Sequence, residues 1–548
     1  MTSPNASWPT RATTMGWMAV FAIVGALPYA FAWLTVPADL AYTGLMFNVP
    51  DHAQYWSWIT ASRHGLFISN TMSPEPNPPT FMQPLMWCWA QVQAATGMSF
   101  AAIMQAWRLV AIGLVVSATA AFVRTFLADD ATRKSAAVMI LVGAGVGWML
   151  VIVKFALGLA DVPFPHDIFT AEPNTFFGMF AYPYLPMAQG LVVFTLVGVW
   201  RAHVRRAWLP AVMAAVCALA LALSHAYDLL PIYATIAVTW CWIVVRDRQL
   251  PVAFTGAAAL VAIASAPVAF FYRQLTTDDP MWREILAQYP NAGVWTPPHL
   301  HLVVLMGLPL VLALVTLAGR RLRDDGQRFL VAWFVSGLVL MYVPTVYQIK
   351  MLTGWQFPVA ALAALAWQAH VAPRVSGWAQ RFGRLGAVAP VALLVLLVVP
   401  TNLYLFAWRL VELRRHERPY FMPRTDLAAL EWLGANATKD DVVLAPLELG
   451  QFVPNLGQSR AVVAHWAMTV RYFERRDAAA RFFARDTPGE EREALLAREG
   501  VTLVVRPDGA AWRDGFDPSQ HAGYEQVFSD GATSIHRVRA RGVTGGAR

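Results

Sequence analysis

The chain has 548 residues, 57% of them hydrophobic and 14% charged, with a formal net charge of +8. A soluble protein carries about a quarter charged residues, so this composition excludes an ordinary soluble domain and reads as a polytopic α-helical membrane protein. The basic excess is nearly all Arg, the lysines being only Lys134, Lys154, Lys350 and Lys439. Arg on cytoplasmic loops is what membrane orientation requires, which argues against nucleic acid as a partner. Cys88, Cys217 and Cys241 sit singly in apolar runs and give neither a disulfide framework nor a thiolate metal site.

Apolar stretches long enough to cross a bilayer fall at 15–36, 101–126, 135–160, 186–200, 209–224, 227–245, 252–271, 301–319, 329–347, 354–371 and 386–408, about eleven spans. The first contains a small-x-small site ending at Ala32, as in "YAFAW", but it is long for a signal-peptide core and reads as a span. With a cytoplasmic N-terminus, the inner loops hold Arg133 and Lys134; Arg201, Arg205 and Arg206; Arg246 and Arg248; Arg320, Arg321, Arg323 and Arg328; and Arg374, Arg381 and Arg384. The outer loops hold few cations, chiefly Arg63, Arg273, Arg283 and Lys350. This alternation orients the chain in a bacterial inner membrane, with an odd number of spans leaving the C-terminus extracytoplasmic.

The first outer loop, about 37–100, contains "DHAQYWSW" and "SPEPNPPTFMQPLMWCWAQV". Its segments "QYWSWITASRHGLF" and "FMQPLMWCWAQVQAATG" are too short or too polar to span and are expected as helices lying in the interface. "GAGVGW", 143–148, reads as small-residue packing inside a span, not as a nucleotide loop. The other outer loops are 161–186, the short "SHAYD" at 224–228, and 272–301. Beyond residue 410 the pattern changes. Residues 411–423 read as a linker and 424–548 as a small soluble α/β domain with a disordered tail. Within it "DLAALEWLGANATKDDVVLAP" and "REALLAREGVTLVVRP" each run helix, turn, buried strand.

The outer loops carry the candidate chemistry. Asp51 follows the first span at the start of an aromatic helix; Asp is a favoured N-cap, and a carboxylate there is also a general base for an acceptor hydroxyl. Asp51, Asp167, His166 and Glu172 are the candidate ligands of a divalent Mg or Mn ion. A phosphate leaving group needs cations, for which Lys350, Lys154, Arg63 and His225 are candidates, with Lys350 the clearest because it is a lone lysine on the outer side. Snorkelling to the interface is its plain alternative. His52, Glu75, Glu172 and Asp228 complete the candidate substrate contacts, and His225 with Asp228 serves equally to cap two helix ends. His465 and Trp466 read either as core or as part of a carbohydrate surface. No Walker loop, G-x-S-x-G or HExxH motif is present.

"NVPDHAQYWSW" after the first span, "DVPFPHDIFTAEPN" as a second acidic outer loop, and a terminal outer domain together resemble the GT-C superfamily of membrane glycosyltransferases. The resemblance spans roughly residues 15–408. It includes protein O-mannosyltransferases, oligosaccharyltransferase catalytic subunits and lipid A aminoarabinose transferases. Where several families pair two acidic residues in the first loop, Asp51 is here followed by His52, and no WWD-type motif is present. The resemblance implies an inverting transfer of a hexosyl or pentosyl group from a polyprenyl-phosphate donor in the bilayer to a hydroxyl on a glycan, lipid or protein, with Asp51 as base. A transporter or flippase, and a non-catalytic envelope assembly partner, are the rival readings; polar residues gathered on one face and the lack of an internal repeat favour the transferase.

Overall fold

A computed structural model describes residues 8–292, 296–319, 324–383, 385–507, 509, 512 and 514–539. Arg320, Arg321, Arg323 and Arg384 of the basic-loop pattern, and the expected tail at 540–548, lie outside the described residues.

Six helical stretches among the described residues are long and apolar enough to cross a membrane: Arg11–Thr35, Phe100–Phe126, Tyr184–Arg205, Trp208–Asp247, Val252–Asp278 and His301–Ala318. Two bent pairs, Asp130–Val142 with Gly147–Ala156 (46°) and Val388–Val398 with Pro400–Arg414 (54°), raise the total to eight if each pair is one span. The chain is thus largely helical and multi-pass, with fewer full-length spans than the eleven apolar runs. Two causes account for the difference. The runs at 209–224 and 227–245 form one 40-residue stretch, in which helices Trp208–His225 and Leu229–Asp247 meet at a single 3-10 turn, Ala226–Asp228. The runs at 329–347 and 354–371 form helices of only 16 and 11 residues, Asp325–Leu340 and Gln356–Ala366. At about 1.5 Å per residue Asp325–Leu340 falls short of about 30 Å of hydrocarbon, whereas Gln356–Ala366 runs on through the π-helical Trp367–Val371 into Ala372–Ala379, a helix that changes type without ending.

"GAGVG" does not lie within a continuous helix. It forms the break between Asp130–Val142 and Gly147–Ala156. The glycines are needed for close approach: a Cβ on Gly145 would stand 2.0 Å from the Val304 carbonyl oxygen, and one on Gly147 only 1.8 Å from an Asp167 carboxylate oxygen. At the second bent pair Pro400 opens the new helix, where its missing N–H costs no intrahelical bond.

The chain divides into two compact units, each built from three segments. The first comprises Met1–Pro28, Met104–Arg273 and Val294–Leu410. Its centre is apolar and aromatic. Every residue of Gln356–Ala366 except Leu365 is buried, in an Ala-rich helix that lets neighbours approach closely. Phe122 meets Phe357 edge-on at 5.3 Å between centroids, and the buried Trp355 indole donates to the Phe334 carbonyl at 2.9 Å.

The second unit comprises Tyr29–Ile103, Gln274–Gly293 and Val411–Arg548. Among the described residues it holds nine strands: β1 (Leu40–Tyr42), β2 (Phe67–Ile68), β3 (Phe81–Met82), β4 (Phe421–Pro423), β5 (Val442–Leu444), β6 (Arg460–Ala461), β7 (Leu503–Arg506), β8 (Tyr524–Ser529) and β9 (Ser534–Val538). β1 pairs antiparallel with β4, and β2 with β3. The rest form one sheet in the order β6-β5-β7-β9-β8. β5 runs parallel to both β6 and β7, while β9 is antiparallel to β7 and β8. Short runs of Val and Leu are buried in β5 and β7, as parallel strands require. Val442, Leu444 and Val504 form one core with Phe482, Phe483, Leu495 and Leu496 of helices Tyr472–Phe483 and Gly489–Glu499. In the 37–100 segment, Val49–Ala61 and Pro84–Thr96 are helices of 13 residues each.

Candidate functional site

Asn48 takes a left-handed backbone conformation (φ 38°, ψ 60°) and starts helix Val49–Ala61, with Pro50 in the first turn. Asp51 is therefore not the N-cap. It sits within the first turn, where the partial positive charge of the helix N-terminus favours a carboxylate. The Asn48 side-chain amide donates to Asp51 Oδ2 at 2.7 Å. On Oδ1, His465 Nε2 lies at 3.1 Å and the Trp466 indole N–H donates at 2.9 Å. The His465 tautomer follows from its other nitrogen: the backbone N–H groups of Ala467 and Met468 both donate to Nδ1, at 3.1 and 3.2 Å. Nδ1 must present its lone pair, so the neutral ring carries its proton on Nε2 and donates it to Asp51. The carboxylate is one-seventh exposed, and His465 is wholly buried.

The 464–470 loop that supplies these donors is held from several sides. Thr469 Oγ1 accepts from the backbone N–H groups of Ala464 and His465 and donates to the Met72 carbonyl at 2.6 Å. Gln288 Nε2 donates to the Ala467 and Thr469 carbonyls, Asn291 Nδ2 to that of Trp466, and Asn70 Nδ2 to that of Met468. The donors are thus preorganised around Asp51 by side chains from all three segments of the second unit.

The other candidates of this unit have separate roles. His52 is buried and its Nδ1 pairs with the Asn48 carbonyl at 3.0 Å within the same turn. Arg63 donates to Gln93 at 2.9 Å on an exposed face. Glu75 ion-pairs with the buried Arg475 at 2.5 Å, and Arg475 also meets the buried Glu499 at 2.8 Å. Burial alone would raise the Glu75 carboxyl pKa, but the Arg475 guanidinium and the Ser73 hydroxyl hold it below its ordinary value.

In the first unit, Lys350 stands in the 3-10 turn Gln348–Leu352 and its ammonium meets Glu172 at 2.6 Å. Glu172 is nearly buried, and its backbone carbonyl accepts from Gln189 at 2.8 Å. Asp228 lies within electrostatic reach of Lys350 and pairs with His225 Nδ1 at 2.5 Å, while Tyr227 Oη bonds the other ring nitrogen of His225. These four candidates form one charged cluster. Lys154 is apart from it: its ammonium donates to the carbonyls of Leu159, Ala160 and Val162, closing the end of its own helix. Asp167 accepts from the Gly147 N–H at 2.7 Å and interacts with Thr401 at 3.1 Å. Burial pushes its carboxyl up to about 6 despite those two bonds. His166 neighbours His301 at 5.8 Å between centroids; burial and that ring lower its pKa.

Three solved structures share this architecture. The chain is similar to the archaeal oligosaccharyltransferase AglB from Archaeoglobus fulgidus in complex with an inhibitory peptide and a dolichol-phosphate, with a TM-score of 0.56 at 11% identity over 91% of this chain and 70% of that one. The apo form of the Archaeoglobus fulgidus oligosaccharyltransferase gives 0.55 at 12% identity over the same shares. ArnT from Cupriavidus metallidurans, bound to undecaprenyl phosphate, gives 0.50 at 12% identity over 95% of this chain and 98% of that one. The fold is that of the GT-C glycosyltransferases. No family model and no curated protein matches the sequence.

Within this chain the expected metal set does not fit a resident ion. Among the described residues, no group of three or more His, Cys, Asp or Glu is placed to hold one. Glu172 carries the Lys350 ammonium, and Asp167 accepts from Gly147 and Thr401 on one oxygen, Oδ2. His465 and Trp466 stand out in the sequence as core or carbohydrate surface, but not as partners of Asp51, which lies 414 and 415 positions earlier; Arg475, 400 beyond Glu75, does not stand out at all. Neither partner stands in a motif, so only the hydrogen-bond geometry links them.

Proposed function

We propose that this chain is an inverting glycosyltransferase that moves a hexosyl or pentosyl group from a polyprenyl-phosphate donor to an acceptor hydroxyl. The observation that carries the reading is the Asp51 carboxylate, fixed by Asn48, His465 and Trp466 in a chain of GT-C fold. Three preorganised donors are more than a solvated loop carboxylate attracts, and they set its orientation. The reaction belongs on the extracytoplasmic face of a bacterial inner membrane, with the N-terminus cytoplasmic and residues 424–548 outside.

In the proposed step the acceptor oxygen bonds to the anomeric carbon as the carbon–oxygen bond to phosphate breaks. The hydroxyl proton passes to Asp51, the configuration inverts, and polyprenyl phosphate leaves. For contact with a lipid phosphate the candidates of the first unit are Lys350 and, in the same charged cluster, His225. Glu172 and Asp228 hold these two in place through the pairs described above. Arg63 is the further candidate for headgroup contact; Lys154 is better explained as a helix-end cap. No step is routed through a metal.

The test uses radiolabelled polyprenyl-phosphate sugars, hexoses and pentoses, with the purified chain in lipid nanodiscs. Label should leave one donor and appear in product with inverted anomeric configuration. Retained configuration, or label that never leaves any donor, would falsify the reading.

A further inference from the structure

The second unit contains a cavity of about 550 Å³ that the sugar-transfer reading does not use. Small-molecule sites run from about 300 to 1,000 Å³, so the cavity has room for a short saccharide end. Three aromatic side chains line it: Trp466 from the 464–470 loop, Tyr472 at the start of helix Tyr472–Phe483, and Trp512. All three are half-buried, so each leaves part of its ring exposed. Trp512 is braced edge-on by Phe483 at 5.8 Å, and Trp466 by Tyr289 at the same distance.

Two features define what would fit. The charged groups on the lining are Arg418 and Glu448, one of each sign, and Arg418 is already paired with the buried Asp426. A free phosphate or a polyanion finds no net positive charge there. Gln451 is buried on the lining, and its amide donates to the Glu448 carbonyl at 3.1 Å. An amide offers both donor and acceptor positions, which is what a hydroxyl needs. Aromatic faces carry negative quadrupole charge and attract polarised C–H groups. A sugar ring presents such C–H groups on its faces and hydroxyls at its rim.

The cavity also adjoins the proposed base. Pro50, the residue before Asp51, and Trp466, whose indole N–H is bonded to Asp51, both belong to its wall. We propose that this cavity binds the acceptor and that the acceptor is a saccharide, its ring held against Trp512, Tyr472 and Trp466. This rests on the transferase reading and narrows its acceptor from any hydroxyl to that of a sugar.

Saturation-transfer NMR on the full chain in detergent tests it, with a panel of methyl glycosides of hexoses, pentoses and N-acetylhexosamines and no donor present. Irradiating the aromatic protons should transfer saturation to the ring C–H protons of at least one glycoside. Trp512→Ala and Tyr472→Ala should each weaken its binding about tenfold, near 1.4 kcal/mol. Absence of transfer to every glycoside in wild-type protein overturns the proposal without need of a variant. So does wild-type affinity in folded Trp512→Ala and Tyr472→Ala. The two ideas fail separately: glycoside binding with no sugar transfer sinks only the transferase reading, and Asp51-dependent transfer without glycoside binding sinks only the saccharide site.

Discussion

At the scale of single residues, the same carboxylate chemistry is tuned in opposite directions. Asp167 is buried, and its pKa is raised from 3.8 to about 6. The folded chain therefore binds this proton more tightly than the unfolded chain. Stability from this group is full below about 3.8 and falls as pH rises to about 6, by about 3 kcal/mol in all. Asp167→Asn keeps an acceptor for the Gly147 N–H and removes the charge. It should melt above wild type at pH 7.5 and level with it near pH 4; equal melting at both values would contradict the argument. Glu75 runs the other way. Its pKa is lowered, so its stabilisation is present above the ordinary value of 4.5 and is lost as pH falls below it. Glu75→Gln should cost about 1.5–3 kcal/mol at neutral pH by weakening the charge-assisted bonds to Arg475, and much less in acid, as read from denaturation curves. Lys350 and Glu172 give a third test. Lys350→Met leaves a nearly buried carboxylate unpaired and should destabilise by about 3–5 kcal/mol, while Lys350→Met with Glu172→Gln should recover the melting temperature. If the pair serves only the fold, the double variant also recovers transfer; the phosphate role predicts a folded and inactive protein. Of these residues Asp51, Glu172 and Lys350 were legible in the sequence, because a charge beside an apolar run stands out. Arg475 was not, and His465 and Trp466 stood out only as core or carbohydrate surface; their pairing with Asp51 shows only in hydrogen bonds to a loop about 400 residues earlier.

At the scale of elements, hydropathy locates most helices and misjudges how they break. The runs at 101–126 and 252–271 correspond to single long helices, Phe100–Phe126 and Val252–Asp278. The 135–160 run does not, because close contacts at Gly145 and Gly147 decide its course, and hydropathy does not register a carboxylate 20 residues downstream accepting from a glycine N–H. Gly147→Ala should cost about 1–3 kcal/mol or more by forcing Asp167 out of its place, and Asp167→Ala should relieve part of that loss; additive losses in thermal denaturation would argue against the contact. Along the 424–548 segment, "DLAALEWLGANATKDDVVLAP" became helix Arg424–Asn436 followed by β5, since a 3.6-residue period gives way to a buried apolar triplet. The pairing of β1 with β4, far apart in the chain, left no comparable trace in either three-residue strand.

At the scale of the whole molecule, the second unit draws on three separated segments, and that gathering is what assembles the Asp51 site. Composition marks residue 410 as a change of character. It cannot convey that the 274–293 segment contributes Gln288 and Asn291 to the loop bearing His465. The proposed orientation has its own check. With Cys88, Cys217 and Cys241 replaced by serine, a single cysteine at Glu490, exposed at the start of helix Gly489–Glu499, should react with a membrane-impermeant maleimide added to spheroplasts. Labelling only after the membrane is opened would place that segment in the cytoplasm and remove a lipid-linked donor on the outer face.

The most direct test of the whole account is single-turnover sugar transfer by Asp51→Asn against wild type, with donor affinity and melting temperature measured on the same preparations. A general base of this kind contributes about 10²–10⁴ in rate. The account predicts a loss of that size in the transfer step, with donor binding and stability near wild type. Transfer at the wild-type rate by folded Asp51→Asn would contradict it.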